Sequence, residues 1–435
     1  MEKAIKIGLL GLGTVGRGVY RILSGNAESI RRKTGARLEV ARILVRDRQK
    51  DRGLPVDPAV LTTDFREIVE DPEIEIVVEV MGGINPALEY SLAALKNGKS
   101  LVTANKDMVA LHGRELFEAA AAGRADLLFE GSVGGGIPVI RPLKHCLAAN
   151  RITRLMGIIN GTTNYILSKM TAEGTSFEQA LAEARAKGYA EADPSADIEG
   201  LDAARKLAIL ASIAFNSRVS LADVYVEGIG RITARDIAYA GELNYVIKLL
   251  GIARETEDGI QARVHPTLIP RFHPLASVNG VFNAIYIQGD AVGNTMFYGR
   301  GAGELPTGSA VVADVMEAAK NRLHGVTGLE GCTCFEQKPV LPIGRIESKY
   351  YLRLLVTDRP GVLAAIAYAF GDKNVSLASV IQKHTDGSRA EIVMVTHRVN
   401  EQNMRDALAI VEKLSAVEEV CVVLRVEDDY PEEVS

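Results

Sequence analysis

Gly11-Leu-Gly13-Thr14-Val15-Gly16 stands directly after the apolar run Ala4–Leu10 and directly before a stretch with helical spacing over 15–23. No other feature restricts the fold of this chain so strongly. A buried strand that turns on glycine into a helix opens a doubly wound α/β layer. The first glycine permits the tight turn, the second lets backbone N–H groups approach a pyrophosphate, and the third allows helix and sheet to pack closely. Strand-like runs at 38–45, 74–80, 100–103 and 127–129 alternate with alanine-rich helical stretches at 86–97 and 113–123. A Rossmann-type parallel sheet is expected over 1–139.

Beyond residue 140 the texture changes. Helical patterns at 176–187, 201–214 and 234–252 precede strand-like runs at 261–269 and 281–289, which indicates an α+β catalytic and dimerisation domain over 140–306. A further helix at 309–320 is expected within a segment, 307–335, that returns to the first domain. Residues 336–348 are polar and contain Pro and Gly, as a linker does. The pattern then restarts as strand 350–356, helix 361–373, strands 375–383 and 390–397, helix 401–414 and strand 417–426. This βαββαβ order predicts a small ferredoxin-like domain over 349–427, followed by an acidic tail at 428–435.

Bulk properties narrow the function. A chain of 435 residues, 47% apolar and 24% charged, can bury several cores, and a net charge of −5 with mixed signs argues against a nucleic-acid partner. Neither a secretory leader nor a membrane-spanning stretch is evident. The four cysteines, at 146, 332, 334 and 421, are too few for a disulfide framework, so a reducing cytoplasm is expected. Cys332-Thr-Cys334 could suggest metal or redox chemistry, but no second cysteine pair or nearby histidine cluster completes a site, so packing or loop cysteines are the favoured reading.

Four further segments bear on chemistry. The second strand ends in Arg46-Asp47-Arg48, with Lys50 and Arg52 close behind. Basic residues there favour the 2′-phosphate of NADP, whereas Asp47 keeps NAD possible. Lys106, in Thr103-Ala-Asn-Lys106, follows a strand at the sheet edge where such folds bind ligands. The segment Glu130-Gly-Ser-Val133-Gly-Gly135-Gly-Ile137 either points several carbonyls at one monovalent cation or is an interdomain turn. Between Gly188 and Lys206, five acids crowd a loop and the first helical turn, as a substrate with an ammonium group requires. Asp202 and Lys206 are four apart and share a helical face. Such a pair is either a surface ion pair or a lysine poised to donate a proton.

Taken together, G-L-G-T-V-G at 11–16, T-A-N-K at 103–106, the glycine loop at 130–138, N-G-T-T-N at 160–164, G-Y-A-E-A-D-P at 188–194 and G-L-D-A-A-R-K at 200–206 resemble the homoserine dehydrogenase family over about the first 340 residues. The resemblance implies reduction of aspartate 4-semialdehyde to homoserine by NADP or NAD, with Lys206 as proton donor and Lys106 assisting near the nicotinamide. It implies that Glu191 and Asp202 hold the substrate's amino end, and that Gly11, Gly13, Thr14, Val15, Gly16, Arg46, Lys106, Gly188 and Gly303 meet the cofactor. Glu130, Val133, Gly135 and Ile137 match the family's sodium site, largely through main-chain oxygens. A homodimer or homotetramer is implied.

The last 85 or so residues resemble an ACT domain, with Asp358, Gly361 and Asn374 at its effector positions and threonine as the suggested ligand; a dimerisation module without ligand is the other reading. A neighbouring activity, aspartate-semialdehyde dehydrogenase, needs a nucleophilic thiolate, and the context of Cys146 does not mark one. An aspartate kinase fusion has no room in this chain. A catalytically silent sensor of nucleotide and amino acid is the competing class. Reduced cofactor appearing at 340 nm from homoserine and NADP separates it from an enzyme.

Overall fold

The computed structural model describes residues 3–428, which fall into two compact units: 3–155 with Arg205–Leu221 and Asn283–Lys338, and Met156–Ala204 with Ala222–Phe282 and 339–428. Of the expected acidic tail, residues 429–435 lie outside the described residues.

In the first unit, β1 (Ala4–Leu10), β2 (Arg37–Leu44), β3 (Leu61–Thr62), β4 (Ile74–Glu79), β5 (Ser100–Thr103) and β6 (Leu127–Leu128) form one sheet. Its order is β3-β2-β1-β4-β5-β6 and every pair is parallel, so the doubly wound expectation holds. The direction of winding reverses between β1 and β4, which opens a ligand crevice at their carboxyl ends. Helix α1 (Thr14–Gly25) follows β1 directly. Ile5, Ile7 and Leu9 of β1 and Ile76 and Val78 of β4 share a core with Val311, Val312 and Val315 of the Glu304–His324 helix. Strands this deeply buried read as continuous apolar runs.

The helix expected over 113–123 begins earlier, at Lys106, because the Asn105 side chain accepts the Met108 N–H at 3.1 Å and caps it.

The second unit contains a mixed sheet. Tyr245–Thr256 pairs antiparallel with Gly259–Pro270, and Gly259–Pro270 then pairs parallel with Val417–Val426 through Thr267 and Leu268. Glu347–Thr357 lies between Val417–Val426 and Arg389–Thr396, and Leu377–Asp386 closes the edge. The last four strands and the helices Val362–Asp372 and Glu401–Val411 give the expected βαββαβ module, cored by Leu352, Leu354, Ile366, Phe370, Met394 and Val411. A short strand, Val399–Asn400, is added to it.

One expected element is overturned. The pattern at 234–252 is a helix only over Ala234–Glu242, and the chain then turns at Asn244 (φ 62°) into the strand from Tyr245. Residues 247–253 are buried without a break, so neither a period of two nor one of 3.6 marks the strand.

The ACT-like module is joined to the rest of this unit by the ion pairs of two buried arginines. Arg353 meets Asp236 at 2.6 Å, and Arg425 meets Glu227 at 2.9 Å as well as Glu401 at 2.6 Å within the module.

Candidate active site

The glycine turn is built for close approach. A Cβ on Gly16 would lie 2.2 Å from the Gly11 carbonyl oxygen, so only glycine lets α1 start this tightly against β1. Gly13 is the N-cap of α1 and makes no side-chain cap, while a Cβ there would meet nothing within 4 Å. Thr14, Val15 and Gly16 therefore begin a helix with its first-turn amides uncovered by side chains, a cradle that suits a pyrophosphate. Arg17 and Arg21 of α1 grip Glu304 at 3.1 and 3.0 Å, which anchors the segment containing Gly303 beside this turn. Arg46 lies exposed past β2, and the neighbouring Asp47 spends a carboxylate oxygen on the Gln49 N–H at 2.8 Å.

Lys106 is the first residue of α2 (Lys106–Gly123). A chain of hydrogen bonds sets its position. Thr103 Oγ1 donates to Glu79 at 2.7 Å, the Asn105 N–H donates to Thr103 Oγ1 at 3.0 Å, and Asn105 Nδ2 donates to the Gly83 carbonyl at 2.7 Å. Glu79 is wholly buried, and desolvation pushes its carboxyl pKa up against these bonds. Reading the sequence missed Glu79; its one signal is a carboxylate inside the apolar run of β4.

The Leu201–Ala214 helix, from Arg205 onward, belongs to the first unit and carries Lys206. Arg205 meets Asp107, the second residue of α2, at 2.9 Å. The structure thus ties the turn after Asp202 to the start of α2, with each lysine adjacent in sequence to one partner of the pair. Arg205 was another residue missed in the sequence, because its partner lies almost a hundred positions away.

In the glycine loop, Glu130 accepts the N–H groups of Val139, Ile140 and Arg141 at 2.6, 2.9 and 2.7 Å. Its own N–H donates to Asp314 at 2.8 Å, and Arg141 closes the network on Asp314 at 2.6 Å. With the carboxylate so engaged, what Glu130 has left for a cation is main-chain oxygen. Gly134 and Gly135 are both left-handed (φ 75° and 55°), a conformation glycine adopts without strain. Among the described residues no group of three or more His, Cys, Asp and Glu side chains gathers as a metal site.

Gly188, Glu191 and Asp202 lie in the second unit. Gly188 (φ 72°) ends the Phe177–Ala186 helix region and Glu191 is exposed. Asp202 is nearly buried and accepts Asn160 Nδ2 at 2.9 Å; the same amide reaches Asp197 at 2.7 Å. Asn160 also caps the Gly161–Glu173 helix. Behind it, Lys248 donates to Asn164, the Val278 carbonyl and Asn279 at 3.1, 2.6 and 3.0 Å, and burial pushes its pKa down to about 8. In the ACT-like module, Gly361 (φ 90°) precedes the Val362–Asp372 helix and Asn374 (φ 57°) follows it, while Asp358 accepts Gln382 at 3.2 Å. No helix among the described residues is long and apolar enough to cross a membrane.

Residues 11–130 match the homoserine dehydrogenase NAD-binding domain, 138–316 the homoserine dehydrogenase family, and 350–416 the ACT domain. Homoserine dehydrogenases of Synechocystis sp. and Pseudomonas aeruginosa are 49% and 45% identical, spanning 97% and 98% of this chain and 99% of their own. The crystal structure of a homoserine dehydrogenase from Thiobacillus denitrificans superposes with a TM-score of 0.93 at 46% identity, over 98% of this chain and 99% of that one. A nicotinamide-binding Rossmann domain, a substrate domain and an ACT domain in this order, with full-length likeness to these enzymes, make the chain an oxidoreductase of the homoserine dehydrogenase family.

Proposed function

We propose that the chain interconverts L-aspartate 4-semialdehyde and L-homoserine with a preference for NADP. The observation that carries this reading is the Arg205–Asp107 ion pair at 2.9 Å, which draws the helix bearing Lys206 to the start of the helix bearing Lys106. The nicotinamide, when bound, supplies or accepts the hydride at the aldehyde carbon. Lys206 donates a proton to the oxygen on which negative charge develops, and a nearby second ammonium, Lys106, favours that charge. Asp202, four residues before Lys206, and Glu191 receive the substrate's α-ammonium group. Gly11, Gly13, Thr14, Val15 and Gly16 take the pyrophosphate, Gly188 and Gly303 border the cofactor, and exposed Arg46 takes the 2′-phosphate. Asp47 is the weaker candidate for a ribose hydroxyl, because its carboxylate already serves the Gln49 amide.

The carbonyls of Glu130, Val133, Gly135 and Ile137 suit a sodium ion, given the engaged Glu130 carboxylate. Threonine is the proposed effector at Asp358, Gly361 and Asn374, where two left-handed residues bracket one helix. A homodimer or homotetramer is supported by the outlying strand Gly293–Arg300, which leaves Met296 and Tyr298 40% and 53% exposed. A cytoplasmic setting fits the four cysteines, all free thiols.

Steady-state kinetics of homoserine oxidation followed at 340 nm, with each nicotinamide cofactor and with and without sodium and threonine, tests the whole reading. Absence of reduced cofactor with either one would overturn it.

A further inference from the structure

The motif that the proposed chemistry leaves unused is Cys332-Thr-Cys334. We propose that these two thiols form a hydroperoxide-reactive site that closes to a disulfide and lowers turnover. Both cysteines are half-buried, and both line a cavity of about 120 Å³ within the first unit.

The surroundings of the two sulfurs differ. Cys332 Sγ accepts the Cys334 N–H at 3.4 Å and faces Arg218 Nη2 at 3.8 Å. The Cys334 thiol donates to the same sulfur, and the Lys144 ammonium adds positive charge nearby. Lys144 is itself nearly buried, over the rings of Phe117 and Phe129, with Glu330 at 3.5 Å. The hydrogen bond from Cys334, above all, pushes the Cys332 thiol down to about 6; the same bond and burial push Cys334 up. One thiol shifted down beside one shifted up matches the division of labour between an attacking and a resolving cysteine.

The chemistry closes without a cofactor. The Cys332 thiolate attacks one oxygen of a hydroperoxide: a sulfur–oxygen bond forms, the oxygen–oxygen bond breaks, and the departing alkoxide or hydroxide takes a proton. Cys332 is then a sulfenic acid. The Cys334 sulfur, giving up its proton, attacks the oxidised sulfur; the disulfide forms, and hydroxide leaves and takes that proton as water. Two thiols are oxidised, and the peroxide is reduced to alcohol and water. A dithiol reductant reverses the change by exchange.

The consequence for turnover rests on the function proposed above. The cavity wall includes Val109 and Gly113 of α2 and Ile209 and Ser212 of the Leu201–Ala214 helix, and the Cys334 sulfur lies 4.0 Å from the Ser212 carbonyl oxygen. These are the two helices that Arg205 and Asp107 join and that carry Lys106 and Lys206. Closing the disulfide removes the Cys334 thiol proton and the negative sulfur facing Arg218. One wall of the cavity then repacks.

The test treats the full-length enzyme with hydrogen peroxide, quenches with an alkylating reagent and maps the peptides by mass. A Cys332–Cys334 disulfide, lost with dithiothreitol and formed at least about tenfold faster than Cys146 oxidises, is the expected result. Cys334→Ser should stop at a sulfenic acid on Cys332 that dimedone traps, and Cys332→Ser should yield neither product. Equal reactivity of Cys332 and Cys146 would overturn the site. Homoserine oxidation by the oxidised wild type should fall at least about fivefold and recover with dithiothreitol, whereas Cys332→Ser should not respond. A disulfide with unchanged turnover would overturn the link to the helices. An enzyme without homoserine oxidation before treatment would instead overturn the proposed function, with the mass readout still deciding the site.

Discussion

Asn160 holds Asp202 by a 2.9 Å hydrogen bond from its side-chain amide, and the same amide nitrogen reaches Asp197. Two carboxylates that would repel one another are thereby kept together, near the amino end of the helix that carries Lys206.

Replacing Asn160 with Ala removes that donor and the helix cap. A lost cap costs about 1 kcal/mol and a lost hydrogen bond to a charged group about 1.5–3 kcal/mol. Thermal unfolding should register the combined loss. The KM for homoserine should rise about tenfold or more while kcat changes less, because the fault lies in how Asp202 is presented. An unchanged KM would remove Asp202 from substrate binding.

Lys206→Ala should lower kcat by about 10²–10⁴, the range expected when a positioned proton donor is lost. Binding of NADP, followed by fluorescence of the reduced form, should stay nearly intact. Near-normal turnover in this variant would exclude Lys206 as the proton donor.

Arg46→Ala should weaken NADP by about 10–100-fold in kcat/KM, the effect of one charge-assisted contact, and leave NAD almost unaffected. A parallel loss with both cofactors would mean that Arg46 does not meet the 2′-phosphate.

Lys248 gives a pH signature with a defined sign. Its folded pKa, about 8, lies below the unfolded value near 10.5, so between these limits the unfolded chain binds more protons. Stability attributable to Lys248 therefore rises with pH from about 8 to 10.5, by an amount on the order of 3 kcal/mol. Denaturant titrations of wild type and Lys248→Met across that window should diverge accordingly. Parallel curves would show that the ammonium is not desolvated.

Truncation after residue 345 removes Arg353 and Arg425 and leaves Asp236 and Glu227 without them. Breaking a buried pair costs about 3–5 kcal/mol, so the shortened chain should lose much of its thermal stability. Asp358→Ala is the milder probe of the effector site: half-inhibition by threonine should need about tenfold more of it. Inhibition unaltered in Asp358→Ala would place the effector elsewhere.

The amino-acid order alone determined the parts that depend on neighbours along the chain. The strand–glycine–helix entry at 4–23, the parallel alternation behind it and the βαββαβ module are written in local periodicity and turn chemistry, which act over a few residues. Lys106 at a sheet edge and the acids before Lys206 could be singled out in the same way. Tertiary structure decided the rest. Tyr245–Thr256 is a strand because both its faces are covered, and burial on both sides erases the pattern that would announce it. Pairing of Arg205 with Asp107, capture of the Glu130 carboxylate by three amides and attachment of Val417–Val426 to Gly259–Pro270 join segments that no short-range rule connects. Such contacts form only once the chain has closed its long loops, so their partners are chosen by packing and desolvation rather than by spacing.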